Sequence, residues 1–346
     1  MPDSTQAVVR SVDSIDLEAV NIRAVVMNAF HLMQHPGSMT VQSLGGLHKM
    51  SGWNRPIITD SGGFQAYSLI RQNAKYGRLG NDGIIFQPEG SNRKINLTPE
   101  KSVQLQVGFG ADVIICLDDC TDVDASRSEQ ELSIKRTIAW AKRGRREFDR
   151  LMEQKQVQPD EHPMIFGVIQ GGGEHDLRHE CAAALLDIGF DGFGYGGWPI
   201  DNAGALLEDI ISLTRELVPE KYPMHALGIG HPLNLAACWR LGYGLFDCAM
   251  PTRDARHGRL YAFKEGYVPE KHSLMNTLTW LEYIYSTDDR FMRDSRPVSE
   301  GCDCPICSRY SRGYLHHLFK IGDSTYQRLA TLHNLRFMTR LCELLA

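Results

Sequence analysis

Short apolar runs recur along the chain, and each of them ends in a polar residue or a glycine. Segments of helical length separate the runs, among them residues 99–108, 128–155, 174–188 and 206–217. An apolar run of about four to eight residues fits a strand that is buried on both faces of a parallel sheet. The runs cover residues 24–28, 56–60, 113–118, 165–170, 192–197, 225–230 and 245–247.

The alternation of these runs with helical segments predicts an α/β fold, specifically a (β/α)8 (TIM) barrel. Strands that alternate with helices form parallel βα units, and seven or eight such units in one chain favour a closed barrel. In that fold the active site lies at the carboxyl ends of the strands. We therefore expect the residues that end the runs to share one site. They are Asn28, Asp60, Asp118, Gln170, Gly197 and Asp247.

The composition is that of an ordinary globular protein. The chain has 346 residues, 42% of them hydrophobic and 23% charged, which suits a single large barrel. No run of about 18 apolar residues occurs, so we predict no membrane span. The first residues lack the basic and apolar segments of a secretory signal. Nine cysteines scattered through predicted strands and helices indicate a reducing compartment, and we expect a cytoplasmic protein.

The net charge of −5 does not favour a nucleic-acid partner, but the basic residues are concentrated locally. A cluster over residues 135–150 is typical of the solvated face of a long helix. Another cluster, from Arg253 and Arg256 to Lys264, follows the last predicted barrel strand. It therefore lies on the active-site face, in the path of a substrate.

A metal-ligand pattern lies near the end of the sequence. It comprises three closely spaced cysteines and a later histidine, namely Cys302, Cys304, Cys307 and His333. Three thiolates and one imidazole form the tetrahedral set of a structural zinc site, with no position left for water. The alternatives are His316 or His317 as the fourth ligand, or three unrelated thiols. We predict a structural Zn²⁺ as the cofactor.

Carboxylates end three of the predicted strands. Asp60 begins the segment Asp60-Ser-Gly-Gly-Phe-Gln65, Asp247 ends a second run, and Asp118 with Asp119 ends a third. Ionised carboxylates in one pocket repel one another, so their proton affinities should diverge. Such pairs act as nucleophile and general acid/base in glycosyl chemistry. The alternative for each aspartate is the N-cap of a helix.

Amide and backbone groups accompany these carboxylates. Gln170 and the glycines before and at Gly197 present donors and acceptors, and Phe64 offers a flat apolar face. Together with Asp118 they suit the hydrogen-bonding edge of a purine-like heterocycle. The glycines could also form ordinary βα turns or a phosphate site. No GxGxxG or Walker pattern follows a strand, so we expect neither a dinucleotide nor ATP.

These segments closely resemble the queuine/7-deazaguanine tRNA-ribosyltransferases, also called tRNA-guanine transglycosylases. The similarity extends from about residue 8 to the end of the chain. The matching stretches are Asn28-Ala-Phe-His-Leu32, Gly45-Gly-Leu-His48, Thr59-Asp-Ser-Gly-Gly-Phe-Gln65, Leu97-Thr-Pro-Glu100, Gln170-Gly-Gly172, Phe246-Asp-Cys-Ala-Met-Pro-Thr-Arg253 and the cysteine–histidine set. The resemblance implies a barrel core over residues 1–268. It also implies a zinc-binding subdomain and a C-terminal helix over residues 269–346, the helix packing back on the barrel.

The resemblance also implies a reaction and a set of roles. The enzyme would exchange guanine in tRNA, at the wobble position of the anticodon, for a 7-deazaguanine such as preQ1, preQ0 or queuine. Asp247 would be the nucleophile that forms a covalent aspartyl-ribosyl intermediate, and Asp60 the general acid/base. The target base would first leave its stack. A homodimer is expected as well. The base site would comprise Asn28, Phe64, Asp118, Cys120, Gln170, Gly196 and Gly197, and Arg253 and Arg256 would bind the RNA.

One segment departs from the family pattern. Where enzymes that use preQ1 usually have Gly-Gly-Leu-Ala-Val-Gly-Glu, this chain has Gly196-Gly-Trp-Pro-Ile-Asp-Asn202. The family's glutamate falls on Asn202, Trp198 replaces a smaller side chain, and His231 stands where threonine or lysine is usual. The incoming base is therefore left open. Two further alternatives are the same exchange on DNA and a non-catalytic RNA-binding partner subunit of an active homologue, although such subunits usually lack the nucleophile motif.

Overall fold

The computed structural model describes residues 1–88, 94–122, 124–267, 269–276 and 279–346. The strands are β1 Val25–Asn28, β2 Ile57–Asp60, β3 Gly77–Gly80, β4 Gly83–Phe86, β5 Ile95–Leu97, β6 Val113–Ile115, β7 Met164–Ile169, β8 Gly192–Tyr195, β9 Met224–Ala226, β10 Leu245–Phe246, β11 Arg259–Phe263 and β12 Leu281–Tyr285. The helices are α1 Ser14–Ala19, α2 Ala29–Leu32, α3 Ser38–Ser43, α4 Gly46–Ser51, α5 Gly63–Gln72, α6 Pro99–Phe109, α7 Arg127–Lys155, α8 His175–Ile188, α9 Glu208–Glu216, α10 Pro232–Arg240, α11 Met250–Arg256, α12 Lys271–Asn276, α13 Arg312–Lys320 and α14 Ser324–Leu345.

Seven parallel strands form the central sheet, in the order β1-β2-β6-β7-β8-β9-β10. Each of the seven apolar runs overlaps one of them, with β7 and β9 beginning one residue before the predicted run, and the α/β barrel class predicted from the sequence is confirmed. Apolar side chains from successive strands meet inside the curled sheet, where Val26, Ile58, Ile115, Phe166 and Val168 are all buried. Because the strands are parallel, all their carboxyl ends lie at one end of the sheet.

The N-terminal residues connect the two edges of this sheet. Pro2 pairs in parallel with Cys248, just after β10, and Asp3 pairs in parallel with Val26 of β1. The Ser4 N–H donates to the Val26 carbonyl over 2.7 Å. Residues 2–5 therefore occupy the eighth strand position. Their sequence, Pro-Asp-Ser-Thr, has no apolar run, which is why the sequence pattern shows only seven strands.

Two small antiparallel sheets lie outside the barrel. Strands β3, β4 and β5 form one of them, and β11 pairs with β12 to form the other. Helix α14 follows, and its residues Leu329 and Leu335 pack in one apolar cluster with Val25 and Leu47. The predicted domain boundary falls beside residue 268, which lies outside the described residues. The division into two domains therefore stays a prediction.

Two of the longer helices, α6 and α7, begin at side-chain caps. Ser126 and Glu129 form a capping box at the start of α7, and Thr98 caps α6, whose first residue is Pro99. These polar signals set the positions of the loops that follow β5 and β6. Within the described part of the chain, we find no helix that combines the length and apolarity needed to cross a membrane.

Candidate active site

Asp60 ends β2 beside Asn28, which ends β1 in the same register. The Asn28 amide donates to Oδ2 of Asp60 over 2.6 Å, and the Gly62 N–H donates to Oδ1 over 3.0 Å. Gly62 has φ +77°, and a Cβ there would lie 2.8 Å from Cβ of Phe30, so the turn requires glycine. Both oxygens of Asp60 are thus held by the chain around them.

The environment of Asp60 favours its protonated form. Burial raises its pKa, and the negative charges of Asp247 and Asp3 raise it further, while the bonds from Gly62 and Asn28 oppose them. The result is a pKa of about 7. At neutral pH this carboxyl can therefore either give or accept a proton.

Asp247 lies directly after β10 and has the opposite shift. His225 Nε2 lies 2.9 Å from Oδ1, and the Gly228 N–H donates to the same oxygen over 3.0 Å. Burial by itself raises the pKa of this carboxyl, but the hydrogen bonds from His225 and Gly228 outweigh burial and hold the pKa of Asp247 below its ordinary value. Two carboxyls in one site thus differ in proton affinity, as a general acid and a nucleophile must.

A second group of polar side chains lies on the neighbouring strands. The Gln170 amide donates to Oδ2 of Asp118 over 2.7 Å, while Gln170 Oε1 is buried and finds no partner among the described residues. Burial and the charge of Asp119 raise the pKa of Asp118 to about 6, even though the Gln170 bond opposes them. Asp119 points elsewhere and pairs with Arg136 over 3.1 Å. An acceptor without a donor beside a carboxyl suits a ligand with several N–H groups.

The glycine-rich loop after β8 borders this group closely. A Cβ on Gly196 would lie 2.6 Å from Gln170 Nε2, so only glycine lets the backbone approach the amide. Gly197, with φ +91°, follows in a conformation that also favours glycine. Cys120 is buried beside Gly197 and Gln170, and burial raises its pKa to about 12, which leaves a neutral thiol.

Arg178 holds this loop from behind, and the sequence patterns did not identify it. Its buried guanidinium donates to the carbonyls of Ile169 over 2.8 Å and of Gly196 over 3.0 Å. It also lies 4.5 Å from the ring centroid of Tyr195. A charged residue on the apolar face of α8 indicates that a buried partner exists. Only the folded structure shows that the partners are the carbonyls of Ile169 and Gly196.

Phe64 and Trp198 form an exposed aromatic pair at this end of the barrel. Their ring centroids are 5.7 Å apart and the rings meet edge to face, with Phe64 42% and Trp198 39% exposed. Trp198 is therefore not a core residue behind the loop. Asn202 is exposed and donates its amide to Asp124, and His231 bonds to the Tyr283 hydroxyl over 2.7 Å.

The two predicted RNA-binding arginines lie on α11, next to the site. Arg253 is exposed, whereas Nη1 of Arg256 is buried with no hydrogen-bond partner in the described ranges. Burial lowers the pKa of Arg256, and the positive charges of Arg10 and Arg253 lower it further. Arg259, in contrast, is paired with Asp254 over 3.0 Å. The unpartnered guanidinium indicates a place for an anion.

Most of the basic cluster on α7 is neutralised by carboxylates. The pairs are Arg136–Asp119, Arg143–Glu100, Arg145–Asp149 and Arg150–Glu147, at 2.6 to 3.1 Å. These four arginines form ion pairs within the chain and are therefore not free to bind phosphates. Among the described residues, Arg253 and Arg256 of α11 and the nearby Arg10 form a cationic surface next to the site, and the sequence patterns did not connect Arg10 with it.

The candidate metal ligands form a cluster away from the barrel mouth. The ligand atoms of Cys302, Cys304, Cys307 and His333 all lie within 4.8 Å of one another. Both Cys304 Sγ and Cys307 Sγ are 3.4 Å from His333 Nδ1, close to the roughly 3.6 Å that tetrahedral Zn–S and Zn–N bonds require. His333 Nε2 is 2.7 Å from the Tyr261 carbonyl, which leaves Nδ1 for a metal. The cluster could hold a metal ion.

Comparisons with known proteins agree with this site. The profile of the family described as Queuine tRNA-ribosyltransferase matches residues 1–345 of the chain. The Queuine tRNA-ribosyltransferase of Syntrophobacter fumaroxidans is 36% identical over 337 residues, 97% of this chain and 82% of that protein. The protein of the same name from Thermoanaerobacter pseudethanolicus is 34% identical over 343 residues, 99% of this chain and 84% of that protein. The chain therefore belongs to the queuine tRNA-ribosyltransferase family.

Proposed function

We propose that this protein is a tRNA-guanine transglycosylase, which replaces guanine at the wobble position of the tRNA anticodon with a 7-deazaguanine. The observation that carries the proposal is the pair of half-buried carboxyls at the carboxyl ends of β2 and β10, Asp60 and Asp247, whose pKa values are shifted in opposite directions. The family and the names of the curated relatives support tRNA as the substrate.

In the first half of the reaction, the Asp247 carboxylate attacks C1′ of the target ribose. A bond forms between a carboxylate oxygen and C1′, the bond from C1′ to N9 of guanine breaks, and its electron pair leaves with the base. The leaving base takes a proton from Asp60, whose pKa of about 7 suits this role. The product is a ribosyl ester of Asp247, the covalent aspartyl-ribosyl intermediate.

In the second half, the incoming base replaces the aspartate. Asp60, now ionised, takes the proton from the ring nitrogen of the incoming base, and that nitrogen attacks C1′. The ester bond breaks and the Asp247 carboxylate is restored. One residue serves both halves because its pKa lies near the working pH, so that neither protonation state is costly.

The groups around Asp118 recognise the base edge. A guanine and a 7-deazaguanine both present a ring N–H and an exocyclic amine, which the Asp118 carboxyl and the unpartnered Gln170 Oε1 can accept. Gly196 and Gly197 let the backbone approach the ring, and Phe64 stacks on its face. Because the two bases share this edge, one pocket can hold each in turn.

The loop after β8 sets the choice of incoming base. Asn202 bonds to Asp124 and is exposed, so it does not support the pocket backbone as the family's glutamate would. The Trp198 carbonyl accepts a bond from the Tyr195 hydroxyl at 3.5 Å. We therefore expect weaker discrimination of the cationic preQ1 against guanine than is usual in the family.

Competition of preQ1, preQ0 and queuine against labelled guanine, on one enzyme preparation, measures this preference. The matched variant is Trp198→Leu, which restores the residue usual at this position. We expect it to change the ratio among the three bases and leave guanine exchange itself intact. A strong preference of the wild-type enzyme for preQ1 over both others would show that the loop change is silent.

Arg253 and Arg256 are proposed to bind phosphates of the RNA beside the flipped base. We expect Arg253→Gln or Arg256→Gln to weaken tRNA binding and to reduce its salt dependence by about one phosphate contact. Affinity for the free base should stay within about twofold, because neither arginine belongs to the base pocket. The control is Arg146→Gln on α7, an exposed arginine remote from the site, which should leave tRNA binding unchanged. A collapse of base affinity with normal tRNA binding would reverse the assignment.

We propose that the Cys302, Cys304, Cys307 and His333 cluster holds a structural Zn²⁺. The closed set of four protein ligands leaves no position for a substrate or a water molecule, so the ion supplies cross-linking and no chemistry. It would connect the segment that carries the three cysteines with α14, which carries His333.

The homodimer and the cytoplasmic location stay predictions.

Exchange of radiolabelled guanine tests the proposed function directly. We expect incorporation into bulk tRNA and none into duplex DNA. Incorporation into DNA alone would identify the alternative nucleic-acid substrate. No incorporation into either, from a folded and metal-loaded protein, would indicate a non-catalytic subunit.

A further inference from the structure

Both hydrogen bonds that Asp247 receives end on the same oxygen. His225 Nε2 lies 2.9 Å from Oδ1 and the Gly228 N–H lies 3.0 Å from it. No hydrogen bond from the described residues reaches Oδ2. The carboxylate is therefore held at one oxygen and free at the other.

The fold places His225 at this point. It is the middle residue of β9 and pairs with Leu245 of β10, and Asp247 comes two residues after Leu245, directly beyond the end of that strand. The His225 side chain is completely buried. Since β9 and β10 are neighbours in a parallel sheet, the imidazole reaches the carboxylate across one strand spacing.

The buried ring also indicates which nitrogen carries the proton. An ionised carboxylate only accepts hydrogen bonds, so His225 Nε2 must donate to it. Nδ1 is buried and has no partner among the residues that the structure describes. A proton on Nδ1 would be a buried donor without an acceptor, which is costly, so Nε2 is the nitrogen whose proton the contact with Asp247 uses.

We propose that His225 is a positioning residue for the nucleophile: with Gly228 it holds Oδ1 of Asp247, and Oδ2 is the oxygen that attacks C1′. This inference rests on the proposed function, in which Asp247 is the nucleophile. As Oδ2 bonds to C1′, the bond from C1′ to N9 breaks, its electron pair leaves with guanine, and the base takes a proton from Asp60. His225 keeps its proton throughout and touches no reacting atom.

The role predicts a specific pH dependence. The charged and titratable groups around Asp247 are His225 on β9, Asp60 on β2, Cys248 next along the chain, and the α-amino group of Met1. Of these, His225 donates the side-chain hydrogen bond that stabilises the ionised carboxylate. Loss of one bond to a charged group should move the acid limb of the rate profile upwards by about one to two pH units.

The experiment compares His225→Phe, which removes the donor, with His225→Gln, whose side-chain amide can still donate. Because the pKa of Asp247 already lies below its ordinary value in the wild type, the rate of covalent adduct formation with tRNA is measured in single turnovers from the lowest pH at which the protein stays folded up to pH 9, and guanine affinity at pH 8. We expect the acid limb of H225F to move upwards while H225Q keeps the wild-type limb and both retain guanine binding. The control is His316→Phe, a buried histidine bonded to the Ser286 carbonyl, which should leave the limb unchanged.

Three outcomes would overturn the inference. The first is an H225F enzyme with the wild-type acid limb. The second is an equal loss of rate at every pH in H225F and H225Q together with lower melting temperatures, which would indicate a purely structural role. The third is a tRNA adduct that forms equally in Asp247→Asn, which would overturn the proposed nucleophile as well and so distinguishes that failure from the first two.

Discussion

Replacing Asp247 with asparagine should reduce guanine exchange by about 10⁴-fold or more, because an amide oxygen cannot replace the carboxylate as a nucleophile. Asparagine has nearly the same shape and keeps an acceptor for the bonds from His225 and Gly228, so the fold should persist. The measurements are incorporation of labelled guanine into tRNA and trapping of the protein–RNA adduct on a denaturing gel. The wild-type enzyme should form the adduct and D247N should not.

A matched control for this variant is Asp191→Asn. Asp191 accepts a hydrogen bond from the Ile165 N–H at 2.8 Å, at the start of β7 and thus at the opposite end of the barrel. It is an aspartate in the same fold with no part in the site, and D191N should retain both exchange and adduct formation. An adduct that persists in D247N, with D191N normal, would assign the nucleophile to another residue.

Removal of one metal ligand should destabilise the protein strongly. Structural zinc contributes about 10 kcal/mol or more of binding free energy that is available only to the folded chain. We expect Cys304→Ser to lose the metal and to lower the melting temperature by at least about 5 °C. Metal analysis should give one zinc per wild-type chain. Exchange activity should fall only with the folded fraction, since the ion takes no part in the chemistry.

The control for the metal site is Cys342→Ser. Cys342 lies on α14, the helix that carries His333, but outside the ligand cluster and without a disulfide. Its loss should leave the zinc content at one per chain and the melting temperature within about 2 °C. A wild-type protein that is free of metal and as stable as C304S would show that the cluster has no structural ion.

The sequence by itself indicated the architecture and the groups that carry the chemistry. Buried parallel strands need continuous apolar runs, so seven of the eight strand positions could be read directly. The ends of those runs are the residues that the fold brings together, because parallel strands share one carboxyl edge. Asp60 and Asp118 were found in this way. The spacing of the three cysteines is equally local, which made the metal cluster visible before the fold was known.

Only the tertiary structure decided how these groups act. The eighth strand position is filled by a polar segment, residues 2–5. Backbone pairing with β1 and with Cys248 after β10 holds this segment in place, and no apolar run marks it in the sequence. His225 and Arg178 are distant in sequence from the groups they hold, and their partners are a carboxylate oxygen and backbone carbonyls that no residue pattern encodes. Burial raises the pKa of Asp60, whereas the hydrogen bonds from His225 and Gly228 outweigh burial at Asp247 and hold its pKa low. These are properties of distances between chain segments, and such distances exist only after the chain has folded.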